Sequence, residues 1–220
     1  MSSAPLANKF EVTAGTVVIV DDDLQLRGAM NALFRSVGYQ TVVYGSATEL
    51  LNSQLPNTVC CLVLDVRMPG LSGFDFHTRL VERGDEIPII FVTGHGDIPM
   101  GIRAMKNGAV DFLTKPFREE ELLDAVAAAL IRDRDRRSRT TKLADIQQRF
   151  ESLTQRERQV LGLVNAGLMN KQVAGELGLS EITVKLHRGT MMKKLGLRTL
   201  ADLVRVAEAL HVNRAGDRLG

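Results

Sequence analysis

A small set of polar residues could do chemistry together: Asp21-Asp22-Asp23, Asp65, Thr93 and Lys115. Each closely follows a short apolar run, at 16–20, 59–64, 88–92 and 109–113 respectively. If those runs are parallel strands of one open sheet, their carboxyl ends share the edge where such sheets gather functional groups. Carboxylates crowded there repel one another, and a divalent cation relieves the repulsion. A hard, all-oxygen donor set of this kind suits Mg2+. Lys115 precedes Pro116, and an X–Pro peptide can be cis and can aim the ammonium inward. A cation, an ammonium and a hydroxyl in one place can stabilise a phosphoryl group, whose charge spreads over three equatorial oxygens.

The elements that must position these groups are legible around them. Apolar runs at 16–20, 39–44, 59–64, 88–92 and 109–113 are short, rich in β-branched residues and mostly apolar throughout. Strands buried on both faces of a parallel sheet have this pattern. Amphipathic stretches at 24–37, 47–54, 74–83, 98–107 and 118–132 alternate with them. Ser46-Ala-Thr-Glu49 has the form of a capping box, and Gly38, Gly84 and Gly108 stand where helices end. Five βα units in succession imply an α/β domain over 14–132, with a doubly wound (βα)5 parallel sheet and right-handed crossovers.

After residue 132 the pattern changes. Residues 133–150 begin with Asp-Arg-Asp-Arg-Arg-Ser-Arg, which reads as a charged linker and as the solvated continuation of the preceding helix. Helix signals alone follow over 151–212. Thr154-Gln-Arg-Glu157 is a capping box opening a helix to 166, and a short helix fits 170–177, a long one 181–195 and a last one 199–210. The chain therefore carries a second, small all-α four-helix domain. Residues 1–13 and 213–220 read as tails, the first of them disordered.

Charge divides along the same lines. Residues 14–132 hold 15 acidic against 10 basic side chains, whereas 133–150 hold 3 against 6 and 151–212 hold 6 against 9. An acidic first half suits a cation, and a basic second half suits a polyanion. No apolar run reaches the roughly 18–20 residues that a membrane span needs, and the N-terminus lacks the pattern of a signal peptide. Cys60 and Cys61 are adjacent within an apolar run, which suits neither a disulfide framework nor a metal knuckle. These features point to the cytoplasm and away from a membrane.

Within 170–195, a short helix, a three-residue turn with Gly178 and a longer helix form a helix-turn-helix. At 100° per residue, Val184, His187, Met191 and Leu195 share one face of the longer helix, which should pack inward. The opposite face presents Ile182, Lys185, Leu186, Gly189 and Lys193. Lysines there can meet phosphates or guanine edges, and aliphatics can meet thymine methyl groups, as in a major groove of double-stranded DNA. Gly189 in mid-helix costs about 1 kcal/mol relative to Ala, which either close approach to DNA or a helix–helix contact would explain.

Val-Ile-Val-Asp21-Asp22, Leu-Asp65-Val-Arg-Met-Pro69-Gly-Leu-Ser-Gly73, Val-Thr93-Gly-His-Gly and Asp111-Phe-Leu-Thr-Lys115-Pro116-Phe117 together resemble the receiver domain of two-component response regulators. The stretch from Leu153-Thr-Gln-Arg-Glu157 through Thr183-Val-Lys-Leu-His-Arg188 to Lys194-Leu-Gly196 resembles the LuxR-type DNA-binding domain. The combination looks most like the FixJ/StyR branch of the FixJ/NarL family. The resemblance implies a regulator rather than an enzyme, with Asp65 taking a phosphoryl group from a sensor histidine kinase. It implies Mg2+ held by Asp22 and Asp65, by Asp21 through water and by the Arg67 carbonyl. Lys115 and Thr93 would each hold a phosphoryl oxygen, and Phe112 stands at the position of the aromatic switch. Ile182, Thr183, Lys185, Leu186, Arg188, Gly189 and Lys193 would face DNA. Phosphorylated chains would pair as homodimers through the surface of 98–107 and 118–132, with the last helix also contributing, and would bind promoter DNA and address RNA polymerase.

Around this set some roles stay open. Asp23 either caps helix 24–37 or touches the metal. Arg67 and His95, each two residues past a site residue, would overhang the site and tune access of water to the acyl phosphate. His77 reads as a solvated helix position and His187 as a structural one. Two rival readings are a constitutive DNA binder with a phosphorylation-independent receiver and a phosphohydrolase. The intact Asp22/Asp65/Thr93/Lys115 set opposes the first, and Arg67 opposes the second, which wants an acid two residues after its nucleophile.

Overall fold

The computed structural model describes residues 15–94 and 98–210, and these divide into two compact units at Arg137/Ser138. In the first unit, β1 (Thr16–Val20), β2 (Gln40–Tyr44), β3 (Cys60–Asp65), β4 (Ile89–Thr93) and β5 (Asp111–Thr114) alternate with α1 (Leu24–Ser36), α2 (Ala47–Leu51), α3 (Gly73–Glu82), α4 (Ile98–Lys106) and α5 (Glu119–Glu151). All strand pairs are parallel, in the order β2-β1-β3-β4-β5. The expected α/β architecture is therefore what the chain adopts. The strand order reverses between β1 and β3, which opens a crevice beyond their carboxyl ends.

Every residue of β1, β3 and β4 is buried, while β2 and β5 run along the sheet's edges and are only partly covered. Successive side chains point to opposite faces of a strand, so one strand feeds two cores. Val17 and Ile19 pack with Met30 and Phe34 of α1 and Leu122 and Val126 of α5. Val18 and Val20 pack with Leu50 of α2, Phe76 and Leu80 of α3 and Ala104 of α4. The apolar-throughout strands are thus explained by helices on both faces.

Two local expectations change. Ser46 does cap α2, accepting from the Glu49 N–H at 3.2 Å, but the Glu49 carboxylate accepts from Gly45 N–H at 2.8 Å rather than from Ser46. His77 is buried rather than solvated. Its ring stands edge-on to Phe91, 5.8 Å between centroids, because α3 turns this position toward β4.

The charged segment after residue 132 is helical, and α5 runs unbroken to Glu151. It is not solvated from its start, however. Asp133 is fully buried, accepting from the Cys60 N–H (2.9 Å) and from Arg136 and Arg137 (2.6 and 2.7 Å). Burial alone would push its carboxyl up, yet these donors hold it below the usual carboxylate range. The arginines at i+3 and i+4 turn an unfavourable buried acid into an anchor for the first residue of β3.

The second unit comprises the end of α5 with α6 (Gln155–Asn165), α7 (Asn170–Leu177), α8 (Glu181–Leu195) and α9 (Leu200–Ala209). Phe150, Val160, Leu161, Val173, Val184, Met191 and Leu203 form its core. The Thr154/Glu157 capping box is present in both directions, and the buried Glu157 carboxylate also receives the Lys194 ammonium at 2.7 Å. Gly178 ends α7 in the left-handed region (φ 64°), the geometry that reverses the chain into α8. Among the described residues no helix is long and apolar enough to cross a membrane.

Candidate functional site

The crevice beyond β1 and β3 collects the predicted polar set. Asp21 directly follows β1 and is fully buried; Asp65 is the last residue of β3 and is 5% exposed; Thr93 ends β4 and is fully buried. The Lys115 ammonium donates to Asp21 Oδ2 and to Asp65 Oδ2, both at 2.7 Å. One carboxylate oxygen from each of Asp21, Asp22 and Asp65 lies within 4.8 Å of the others, with Asp22 the exposed member. The peptide bond between Lys115 and Pro116 is cis.

Backbone groups fix the two buried acids. Asp21 Oδ1 accepts from the Asp23 N–H at 2.9 Å, and Asp65 Oδ1 accepts from the Arg67 N–H at 3.0 Å. The Arg27 guanidinium donates to the Asp21 carbonyl oxygen at 2.5 Å. The Lys115 N–H donates to the Thr93 carbonyl at 2.8 Å, which ties the β5 end to the β4 end. Burial pushes the Asp21 carboxyl above the ordinary aspartate value, against the pull of Lys115 and of the Asp23 N–H. Burial would lower Lys115, but its bonds to Asp21 and Asp65 more than offset this and raise it above an ordinary lysine.

Three carboxylates against one ammonium leave a formal charge of about −2 in a largely buried crevice, which is costly without a counter-charge. The donor set, all carboxylate oxygen with one member open to solvent, has the chemistry and spacing that a hard divalent cation accepts. Asp23 takes the other of its two roles. Its Oδ1 accepts from the Gln25 and Leu26 N–H groups at 2.8 and 3.1 Å, so it caps α1. Arg67 is exposed beside the site; His95 lies outside the described residues. Phe112, on β5, is half-buried with its ring against α4, where a Cβ on Gly101 would come within 3.3 Å of Phe112 Cδ1.

One residue of the Asp65–Gly73 stretch, Gly73, was given no role by the sequence but matters here. A Cβ built on Gly73 would stand 2.5 Å from the Asp65 carbonyl oxygen. The Gly73 N–H in turn donates to the Val66 carbonyl at 2.9 Å. The first residue of α3 must therefore be glycine for the Asp65 backbone to pass.

On α8, Val184, Met191 and Leu195 are buried, and His187 is half-buried on the same side. Lys185, Gly189 and Lys193 are exposed, as are Ile182 (80%) and Leu186 (68%). A Cβ on Gly189 would meet nothing within 4 Å, which removes the helix–helix explanation for that glycine. Thr183 is half-buried beside Ser180, the α8 cap, with their hydroxyls 2.8 Å apart. Arg188 is half-buried, and its Nη1 donates to Asn170 Oδ1 at 2.5 Å. Asn170 was not among the residues the sequence singles out.

Residues 17–127 match the family model for the response regulator receiver domain, and residues 151–207 match that for bacterial regulatory proteins of the luxR family. Nodulation protein W of Bradyrhizobium diazoefficiens is 57% identical over 201 residues, spanning 91% of this chain and 88% of its own. Response regulator protein TodT of Pseudomonas putida is 48% identical over 197 residues, spanning 90% and 87%. Among solved structures, that of response regulator StyR aligns with a TM-score of 0.79 at 48% identity, covering 89% of this chain and 98% of that one.

Proposed function

The chain belongs to the two-component response regulators that join a receiver domain to a LuxR-type DNA-binding domain and regulate transcription, and we propose that Asp65 is its phosphoacceptor. The observation that carries this is the Lys115 ammonium 2.7 Å from both Asp65 and Asp21. A sensor histidine kinase supplies the phosphoryl group. Asp65 attacks phosphorus with one carboxylate oxygen; an O–P bond forms as the P–N bond to the phosphohistidine breaks, and the imidazole leaves. Lys115 then donates to a phosphoryl oxygen, and the Thr93 hydroxyl donates to another. Phe112 is a switch that works by packing, since it has no hydroxyl.

Asp21, Asp22, Asp65 and the Arg67 carbonyl are the groups that would hold Mg2+, Asp21 through water. When bound, the ion offsets the carboxylate charge and the charge of the arriving phosphoryl oxygens. Arg67 and His95 set how readily water reaches the acyl phosphate. Ile182, Thr183, Lys185, Leu186, Gly189 and Lys193 form the DNA-facing surface with Arg188, and the exposed aliphatic–lysine stripe on α8 supports that reading. The phosphorylated chain dimerises, pairs two recognition helices with two half-sites of promoter DNA and engages RNA polymerase in the cytoplasm. The domain limits that fit this scheme are 14–132 and 151–212, joined by the helical segment 133–150.

The test is Asp65→Asn in the full chain. Incubated with a small phosphodonor and Mg2+, it should take up no phosphate and gain no DNA affinity, while its circular dichroism stays that of the parent. Phosphate uptake equal to the parent would refute the assignment.

A further inference from the structure

Arg188 and Arg158 are the half-buried arginines of this unit that pair with no carboxylate among the described residues, but Arg158 donates to the Leu153 and Glu151 carbonyls and lies over the Phe150 ring. Glu157 and Lys194 neutralise each other at 2.7 Å. Arg188 has no carboxylate within ion-pair distance among the described residues, and its side-chain hydrogen bond is to a neutral amide, Asn170 Oδ1. A half-buried guanidinium carries five N–H donors in a fixed fork. One of them is held by Asn170, and the charge has no carboxylate partner among the described residues. Covering a cation without an anion is unfavourable, so the missing anion should come from outside.

Three features identify that anion. The bond joins the first residue of α7 to the middle of α8, so the guanidinium lies between the two helices of the helix-turn-helix rather than on the Ile182–Leu186–Gly189 stripe. Lys171, next in the chain to Asn170, is exposed. The amide oxygen of Asn170 fixes the guanidinium plane, and a planar fork with a fixed direction matches a phosphate better than a flexible lysine would.

Resting on the DNA-binding reading above, we infer that Asn170 is a positioning residue of the DNA interface, holding Arg188 to donate to a backbone phosphate. Arg188 thereby adds affinity that depends on salt and carries no sequence preference. The division of labour on α8 follows: its exposed stripe reads base edges, and Arg188 fixes the register.

The experiment measures binding of the full chain to a mixed-sequence DNA duplex over a salt series. Selection from a random-sequence duplex pool then gives base preference. Arg188→Ala should weaken binding to the mixed duplex by about tenfold at low salt and reduce the slope of log affinity against log salt by about one. The sequences selected should be those of the parent. Asn170→Ala should reproduce part of both effects, and should add nothing in the Arg188→Ala background. Arg188→Lys, which keeps the charge but not the fork, should retain the slope and lose affinity.

If Arg188→Ala changes the selected sequence at a base position while leaving the slope intact, Arg188 reads a base and the inference fails. If Asn170→Ala lowers the melting temperature but moves neither slope nor affinity, the pair is only a helix clamp, and the inference fails again. If the parent chain itself does not bind the duplex, the DNA-binding reading fails, and that outcome is distinct from both others.

Discussion

Lys115 donates 2.7 Å bonds to two carboxylates at once, so the crevice already holds the cation that a phosphoryl group needs. What must be exact is the Asp65 carboxylate, and its support comes from backbone. Arg67 N–H fixes one oxygen at 3.0 Å, and the chain just beyond passes under the first residue of α3. A Cβ on Gly73 would sit 2.5 Å from the Asp65 carbonyl oxygen, and backbone cannot swing away as a side-chain tip can. Gly73→Ala should therefore destabilise the receiver by roughly 1–3 kcal/mol, the range for forced overpacking, and should also displace Asp65. Phosphorylation rate, measured by phosphate uptake well below the melting temperature, should fall with it. A variant with reduced stability but the parent's rate would show that the clash relaxes through α3 instead of through the Asp65 loop.

The elements show how much could be read in advance and why some could not. The runs of β1, β3 and β4 were plain in the sequence, because strands covered on both faces leave a continuous apolar signature. The alternation with helices carried the edge runs of β2 and β5. Equally plain was the strand-edge set, since Asp21, Asp65, Thr93 and Lys115 need only the fold to bring them together. Asp133 was misjudged because it lies in a run of arginines that looks solvated. Its spacing to Arg136 and Arg137, three and four residues on, was the available clue. Gly73 stood in the Asp65–Gly73 motif without a role and Asn170 was not marked at all, because what each does exists only across elements.

His77 was misjudged for a different reason: α3 carries Phe74, Phe76, His77 and Leu80 on its buried side, and a histidine within such a stripe is ambiguous by type. Its burial against Phe91 holds the imidazole below the ordinary histidine pKa. The sign follows from linkage. With the folded value depressed, the unfolded chain binds the proton more readily as pH drops through about 6.5. The receiver should lose stability over that range, and the loss should level off below the folded pKa. His77→Phe keeps the ring packing and removes the proton site, so urea midpoints measured from pH 7.5 to 5 should fall less for the variant than for the parent. Equal falls would place the acid sensitivity elsewhere.

At the scale of the molecule, the chain joins an acidic unit that takes up charge to a basic one that meets a polyanion. The basic surplus over 151–212 is only 9 against 6, and one recognition helix contacts few phosphates, so a single copy should bind DNA weakly. Phosphorylation can strengthen this in two ways: by changing what one chain contacts, or by pairing two chains so that the second contact becomes intramolecular. Pairing raises effective concentration to the millimolar range and can raise affinity by roughly 10²–10⁴ without any new contact. The two routes separate on DNA of different valency. Duplexes carrying two half-sites, taken from the selected sequences, should show the full gain on phosphorylation, whereas duplexes with one half-site should show less than about tenfold. Sedimentation at the same concentrations should show the dimer with phosphate and the monomer without. If one half-site gives the full gain, phosphorylation acts within a single chain, and dimerisation would be a consequence of DNA binding rather than its cause.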